Sequence, residues 1–293
     1  MRPRPPFYCK GGQSLFRRSF CIAGIRVQIV SDEELEITDE SLPFLCDASE
    51  PAETTVYLRA AEALPKPPAD GVWDSGRCFD GDTVFLCNGE THPPYAMVTY
   101  VEDREIHIDY LPQSGAKIWK TAGLVSSLGL ERVLLGHNAL ILHASFVVWN
   151  CNGILFTAPS GTGKSTQAEL WRQHAGADIL NGDRACIRKI SEGYLAYGIP
   201  YAGSSNIYRN EFAPIKAIVV LRQAKENRVQ LLRKGECLAY LLPELSLHRW
   251  DAQFMIRALD RVADILEHVP VYRLDCLPNA DAVEVLRSAL FNG

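Results

Sequence analysis

One stretch restricts the fold of this chain more than any other. "GILFTAPSGTGKSTQAELW", Gly153 to Trp171, runs from an apolar strand through a glycine loop into a helix. Within it, "APSGTGKS" follows the phosphate-binding pattern G-x-x-x-x-G-K-[ST] except at the first glycine, where Ala158 stands. That position closes the strand, and an alanine fits there if its backbone keeps a negative φ. Gly161 and Gly163 flank the phosphate position and allow both left-handed backbone and close approach.

A strand, a glycine loop and a helix in this order make an anion site. Backbone N–H groups from Ser160, Gly161, Thr162 and Gly163 converge on it, and the helix dipole adds partial positive charge. The pattern predicts that Lys164 meets the β- and γ-phosphates and that the Ser165 hydroxyl ligates Mg²⁺. Thr166, next on the helix, faces the nucleotide's flank or caps the helix. ATP and Mg²⁺ are the expected ligands.

Phosphate-loop ATPases add a second strand that delivers an acid to the metal. Here "ADILNGDRACI" follows the loop helix, and Asp183 is the candidate; Asp178, at the strand's start, is expected to face solvent. Asp183 also sits in "NGD", a good turn sequence. His143 lies in "LILHAS", immediately before the loop strand. A histidine in an apolar strand is often a hydrogen-bonded core residue. The "NCNG" between the two strands is a hairpin signal, with Asn-Gly expected to turn, which would put His143 and the loop at one edge of the sheet.

The rest of the chain divides by pattern. From Ser19 to about Pro112, β-branched and aromatic runs such as "FCIAGIRVQIV", "TTVYLRA" and "DTVFLCNG" alternate with turn clusters, predicting a smaller, mainly antiparallel β domain over residues 1–113. Its role is not legible. From there Leu124, Leu128, Val133 and Leu134 fall at helical intervals, predicting a connecting helix, and residues 114–293 read as an α/β domain of mixed sheet and helices.

Of 293 residues, 47% are apolar, and the net charge is -5, so neither nucleic acid nor an anionic membrane is an expected partner. Nine cysteines without a C-x-x-C pair predict free thiols in a reducing compartment. With no secretory pattern at the start, the expected location is cytoplasmic.

The ordered set "LHAS", hairpin, "GILFTAPSGTGKST" and "ILNGDR" resembles the HPr kinase/phosphorylase-like serine kinases, which share their core with phosphoenolpyruvate carboxykinase. The resemblance covers about Leu140 to Leu231 and not the first hundred residues. It implies an HPr kinase-like phosphate-loop core, with His143 near the transferred phosphate and Lys164 on the nucleotide. Asp183 would be metal ligand or general base toward a serine hydroxyl. The bifunctional members carry two adjacent acids where this chain has Gly182-Asp183-Arg184, which leaves the phosphorylase activity open and asks one carboxylate, or His143 with it, to serve.

"YGIPYAGSSNIYRNEFAPIKAIVVL" is similar to a segment of the smaller relatives that phosphorylate a serine of a precursor peptide. A peptide or protein serine is the acceptor so implied, with free serine, or binding without transfer, as alternatives. Gly203, Ser204 and Ser205 form a small-residue turn suited to a phosphate or a substrate backbone, and Arg209 can neutralise the transferred group; a plain surface loop is the competing reading. The family's larger members assemble as multimers, so a homo-oligomer is possible by resemblance.

Overall fold

Paired left-handed residues cut several apolar runs into hairpins. The computed structural model describes residues 15–101, 104–118, 120, 125, 128–201 and 203–291. The chain divides into two units between Val133 and Leu134. In the first, "FCIAGIRVQIV" is not one extended run. It forms β1 (Phe16–Ile22) and β2 (Ile25–Ser31), turning at Ala23 and Gly24, whose φ values are 53° and 70°. Positive φ at both central residues is the type I′ geometry, whose twist matches the strands it joins.

The other strands of this unit are β3 (Leu45–Cys46), β4 (Thr54–Ala60), β5 (Val72–Asp74), β6 (Arg77–Asp80), β7 (Thr83–Cys87), β8 (Pro94–Val101) and β9 (Glu105–Tyr110). They form one nine-stranded sheet in the order β3-β1-β2-β4-β9-β8-β7-β6-β5. Strand β4 runs parallel to β2 and β9, and the remaining pairs are antiparallel. Val56 and Leu58 of β4 and Ile106 and Ile108 of β9 are buried at alternate positions, the period of two that puts one face inward. Of the expected connecting helix, α1 (Leu130–Gly136) is described, and Leu124 lies outside the described residues.

The second unit opens on β10 (Ala139–Trp149) and β11 (Asn152–Thr157), a hairpin as expected. Its turn, however, is Asn150-Cys151, with φ of 46° and 61°, and not Asn152-Gly153. Gly153 lies inside β11 for a packing reason: a Cβ there would stand 3.0 Å from Phe146 Cε2 and 3.2 Å from the Pro214 carbonyl oxygen. Helix α2 (Lys164–Ala175) follows the glycine loop and stops at Gly176, whose φ of 68° lets its N–H reach the Trp171 carbonyl. The run "ADILNGDRACIRKI" then breaks into β12 (Asp178–Asn181) and β13 (Arg184–Ile190), leaving Asp183 in the bend between them.

Beyond these come β14 (Gly193–Gly198), β15 (Phe212–Gln223), β16 (Arg228–Leu231), α3 (Lys234–Leu241), a 3-10 turn at Leu242–Glu244, α4 (Ala252–His268), β17 (Val271–Cys276) and α5 (Ala280–Phe291). Helix α4 starts at Asp251, whose carboxylate accepts the Phe254 N–H at 2.9 Å. Two long strands are shared between neighbours. β10 pairs with β13 along its first half and with β11 and β12 along its second. β15 pairs first with β14, then in parallel with β11 and β17.

Alternation along the central strands feeds two cores. Leu155, Ile218 and Val220 pack with Phe254, Ala258, Val262 and Ile265 of α4. Ile154, Phe156, Val219 and Leu221 pack with Trp171 of α2 and with Val283, Leu286 and Leu290 of α5. The second unit is therefore a mixed sheet with helices on both faces, and the C-terminal ends of parallel β11, β15 and β17 meet at one edge. Among the described residues no helix is long and apolar enough to cross a membrane.

Candidate active site

The glycine loop leaves β11 at that edge. Ala158 is buried in the core beneath the loop and holds no positive φ, so its methyl group takes the place of a hydrogen without strain. Gly161 and Gly163 have φ of 79° and 119°. Neither would meet close neighbours through a Cβ, so the backbone angle is what selects glycine at both. Gly163 is the N-cap of α2, and Ser160, Gly161, Ser165 and Thr166 are exposed around it. An anion at this helix end meets unpaired N–H groups and the positive end of the dipole.

Lys164 is buried, and its ammonium donates to the Ala158 carbonyl at 2.7 Å. Burial pushes its pKa down, while the carboxylates of Glu244 and Asp183 push it up. A cation is thus held beneath the loop with two carboxylates close enough to matter electrostatically.

Asp183 is positioned by backbone contacts on three sides. Its N–H and that of Arg184 both donate to Asn181 Oδ1 at 2.9 Å. Asn181 is fully buried, and its Nδ2 donates to the carbonyls of Ile199 and Tyr201, so both ends of its amide are used. The Asp183 carbonyl accepts the Ala144 N–H at 3.0 Å, and the Gly182 carbonyl accepts the Ser145 hydroxyl at 3.1 Å. The carboxylate faces His143 Nε2 at 3.5 Å and Arg184 Nε at 3.4 Å. The hydrogen bond from His143 first, and the Arg184 charge after it, hold the Asp183 carboxyl below the usual range against the opposing effect of burial.

His143 sits where β10 passes the end of β11, and its carbonyl accepts the Thr157 hydroxyl at 2.9 Å. Its Nδ1 stands 3.1 Å from Glu244 Oε2, and only 9% of the Glu244 side chain is exposed. The imidazole therefore bridges two carboxylates. A neutral ring donates to one of them, and a doubly protonated ring to both.

Glu244 belongs to no motif in the sequence. It stands at the end of "LLPE", where Pro243 and a 3-10 turn end α3, and the following segment is strapped to β10 by the Ser246 N–H to the Ile141 carbonyl at 3.0 Å. A lone acid between leucines in an otherwise apolar stretch is the one signal in the sequence that marks it.

The small-residue turn proves to pack against Asp183. Gly203 has φ of 54°, and a Cβ on it would fall 2.6 Å from Asp183 Cβ and Cγ. A Cβ on Gly182 would fall 2.0 Å from Ser205 Oγ. Smallness on both sides lets the two turns touch. Ser205 Oγ accepts the Ile207 N–H at 3.3 Å, and the side chain of Ser204 lies outside the described residues. Arg209 is not drawn to this cluster: its guanidinium lies 3.5 Å from Asp178 and 3.9 Å from Glu211, at the opposite end of β12 from Asp183. Asp178 faces solvent, as expected.

No family model and no curated protein matches this chain. Among solved structures, the Hpr(Ser) kinase/phosphatase from Coxiella burnetii aligns over 51% of this chain and 95% of its own, at 12% identity and a TM-score of 0.29.

Among the described residues no three His, Cys, Asp or Glu side chains form a metal cage. Mg²⁺ that arrives with a nucleotide takes phosphate oxygens and water and needs only one or two protein oxygens. A serine hydroxyl at the start of α2 and an ionised carboxylate, Ser165 and Asp183, have the right donor chemistry for that.

Proposed function

We propose that the protein is an ATP-dependent kinase that transfers the γ-phosphate to a serine hydroxyl of a peptide or protein. The observation that carries this reading is the convergence of Lys164, Asp183, His143 and Glu244 beside a glycine loop with anion-binding geometry. Phosphoryl transfer asks a protein mainly for positioning and charge, and these residues supply both.

In this reading the loop N–H groups and Lys164 hold the β- and γ-phosphates. Mg²⁺, held by Ser165 and Asp183, would neutralise charge on those phosphates when bound. The acceptor oxygen forms a bond to the γ-phosphorus as the bond to the β,γ-bridging oxygen breaks, and ADP leaves. The acceptor's proton passes to the Asp183–His143 pair. Asp183, kept ionised, orients the hydroxyl, and His143, whose neutral ring donates from Nδ1 to Glu244, takes the proton at Nε2 and then donates to both carboxylates. Serine as acceptor, and an HPr kinase-like core, are supported by the order "LHAS", loop and "ILNGDR".

The test is transfer from labelled ATP to a panel of serine peptides, proteins and free serine, read by mass spectrometry, with Lys164→Ala as control. Phosphorylated acceptor with the wild type only is expected. Transfer to free serine alone would move the acceptor to small molecules, and tight ATP binding without transfer to any acceptor would overturn the kinase reading.

A further inference from the structure

The geometry points to a nucleoside subsite on the side of the phosphate loop away from Asp183, bounded by the ends of β15 and β17. This rests on reading the loop as the ATP phosphate site. Strand β11 has β10 on one flank and β15 on the other. His143 is on β10 and Asp183 follows β12, which pairs with β10, so the transfer chemistry occupies that flank. On the other flank a cavity of about 420 Å³ opens directly from the loop, lined by Thr166, Gln167, Gln223, Ala224, Cys276 and Pro278 as well as loop glycines. That volume lies within the few hundred Å³ usual for small-ligand sites, and the C-terminal edge of parallel strands is where such ligands bind.

The walls suit a flat heterocycle joined to a sugar. Ala224, Pro278 and the Cys276 thiol offer apolar surface, and Gln167 and Gln223 offer amides. Gln223 Nε2 donates to the Thr162 carbonyl at 3.3 Å, which ties this wall to the loop. The Ala224 N–H donates to the Cys276 carbonyl at 3.1 Å, and Asn227 bridges to Asn279 and to the Leu277 N–H, so the segments after β15 and β17 are fixed to each other.

Gln167 is the second observation that points to a ligand. It is 2% exposed, its Nε2 reaches Cys276 Sγ at 3.4 Å, and its Oε1 is buried with no hydrogen-bond partner. Buried amide oxygens are rarely left so. A ring amine or ribose hydroxyl entering the cavity supplies the missing donor. With the nucleoside here, the phosphate chain crosses the loop, and its terminal phosphate points to the Asp183 flank.

The experiment compares MgATP with magnesium tripolyphosphate, which carries the same phosphate chain and no nucleoside, by calorimetry on the whole protein. Wild type is expected to bind ATP at least about tenfold more tightly. Ala224→Trp and Pro278→Trp, which fill the cavity, are expected to erase that advantage while tripolyphosphate binding stays, which also reports that the variants fold. In wild type, ATP but not tripolyphosphate is expected to slow alkylation of Cys276 by iodoacetamide, located by mass spectrometry. This readout decides the matter if both variants lose every ligand. Equal affinity for the two ligands in wild type, tryptophan variants that keep the ATP advantage, or Cys276 unprotected by ATP would each overturn the subsite and leave the phosphate loop standing. Failure of either ligand to bind in a Lys164-dependent way would overturn the loop reading itself.

Discussion

Replacing Glu244 by glutamine removes one charge and changes almost no volume. The carboxylate stands 3.1 Å from His143 Nδ1, with 9% of its own side chain and 30% of the histidine exposed. Coulomb attraction at that distance is about 1.3 kcal/mol in water and about 5 kcal/mol at an effective dielectric constant of 20. Because the histidine is partly solvated and the amide still accepts a hydrogen bond, a loss of about 2 kcal/mol in transition-state stabilisation is expected, roughly thirtyfold in kcat. A second effect falls on Lys164, whose pKa is lowered by burial and raised by Glu244. Without that support the ammonium loses its proton at lower pH, so the alkaline limb of ATP binding moves down. The assay is single-turnover phosphate transfer with ATP affinity measured across pH. Glu244→Asp, which keeps the charge, is expected to restore the alkaline limb and part of the rate. A fall in kcat of less than about threefold, together with an unmoved alkaline limb, would refute both roles.

Lys164→Ala is expected to weaken MgATP binding by at least about a hundredfold through loss of a charge-assisted contact, measured by calorimetry. His143→Gln weakens the contact that does most to hold the Asp183 carboxyl low, so Asp183 takes up its proton at higher pH. The acid limb of kcat/KM should move upward in that variant, and a limb that stays or moves down would contradict the assignment. Gly203→Ala places a Cβ 2.6 Å from the Asp183 carboxyl carbon at a φ of 54°, and a loss of about 1–3 kcal/mol in stability is expected by denaturant titration, with kcat falling more than ATP affinity. Cys151→Gly relieves a left-handed residue in the β10–β11 turn and should raise stability by about 0.5–1 kcal/mol, seen as a higher Tm.

What could be read in the sequence was what depends on near neighbours. The glycine loop declares itself because strand, glycines, lysine and helix are contiguous, and the β10–β11 hairpin because a turn between two apolar runs is a local event. The details that escaped are local angles with no compositional mark. Cys151 is left-handed where Asn152-Gly153 looked the better turn, and Ala23-Gly24 turns the chain inside the apolar stretch from Phe20 to Ile25. Asn181 looked like part of a turn and is instead the fully buried amide that sets the Asp183 bend. The turn at Gly203–Ser205 was readable as small, but not that its smallness makes room for Asp183. Glu244 stands out in the sequence only as a lone acid in an apolar stretch, and nothing near it in the chain hints at a histidine in a distant strand.

That last separation affects how the protein comes into being. His143 and Glu244 are 101 residues apart, whereas the glycine loop, its lysine and its helix lie within a few turns of one another. Contacts between distant residues form late because a long segment must be ordered before they add stability. During synthesis the loop, the histidine and Asp183 all emerge before the segment that carries Glu244. On the kinase reading, the acid on the Leu242–Glu244 turn would tie phosphate transfer to the docking of the segment that follows α3 on β10.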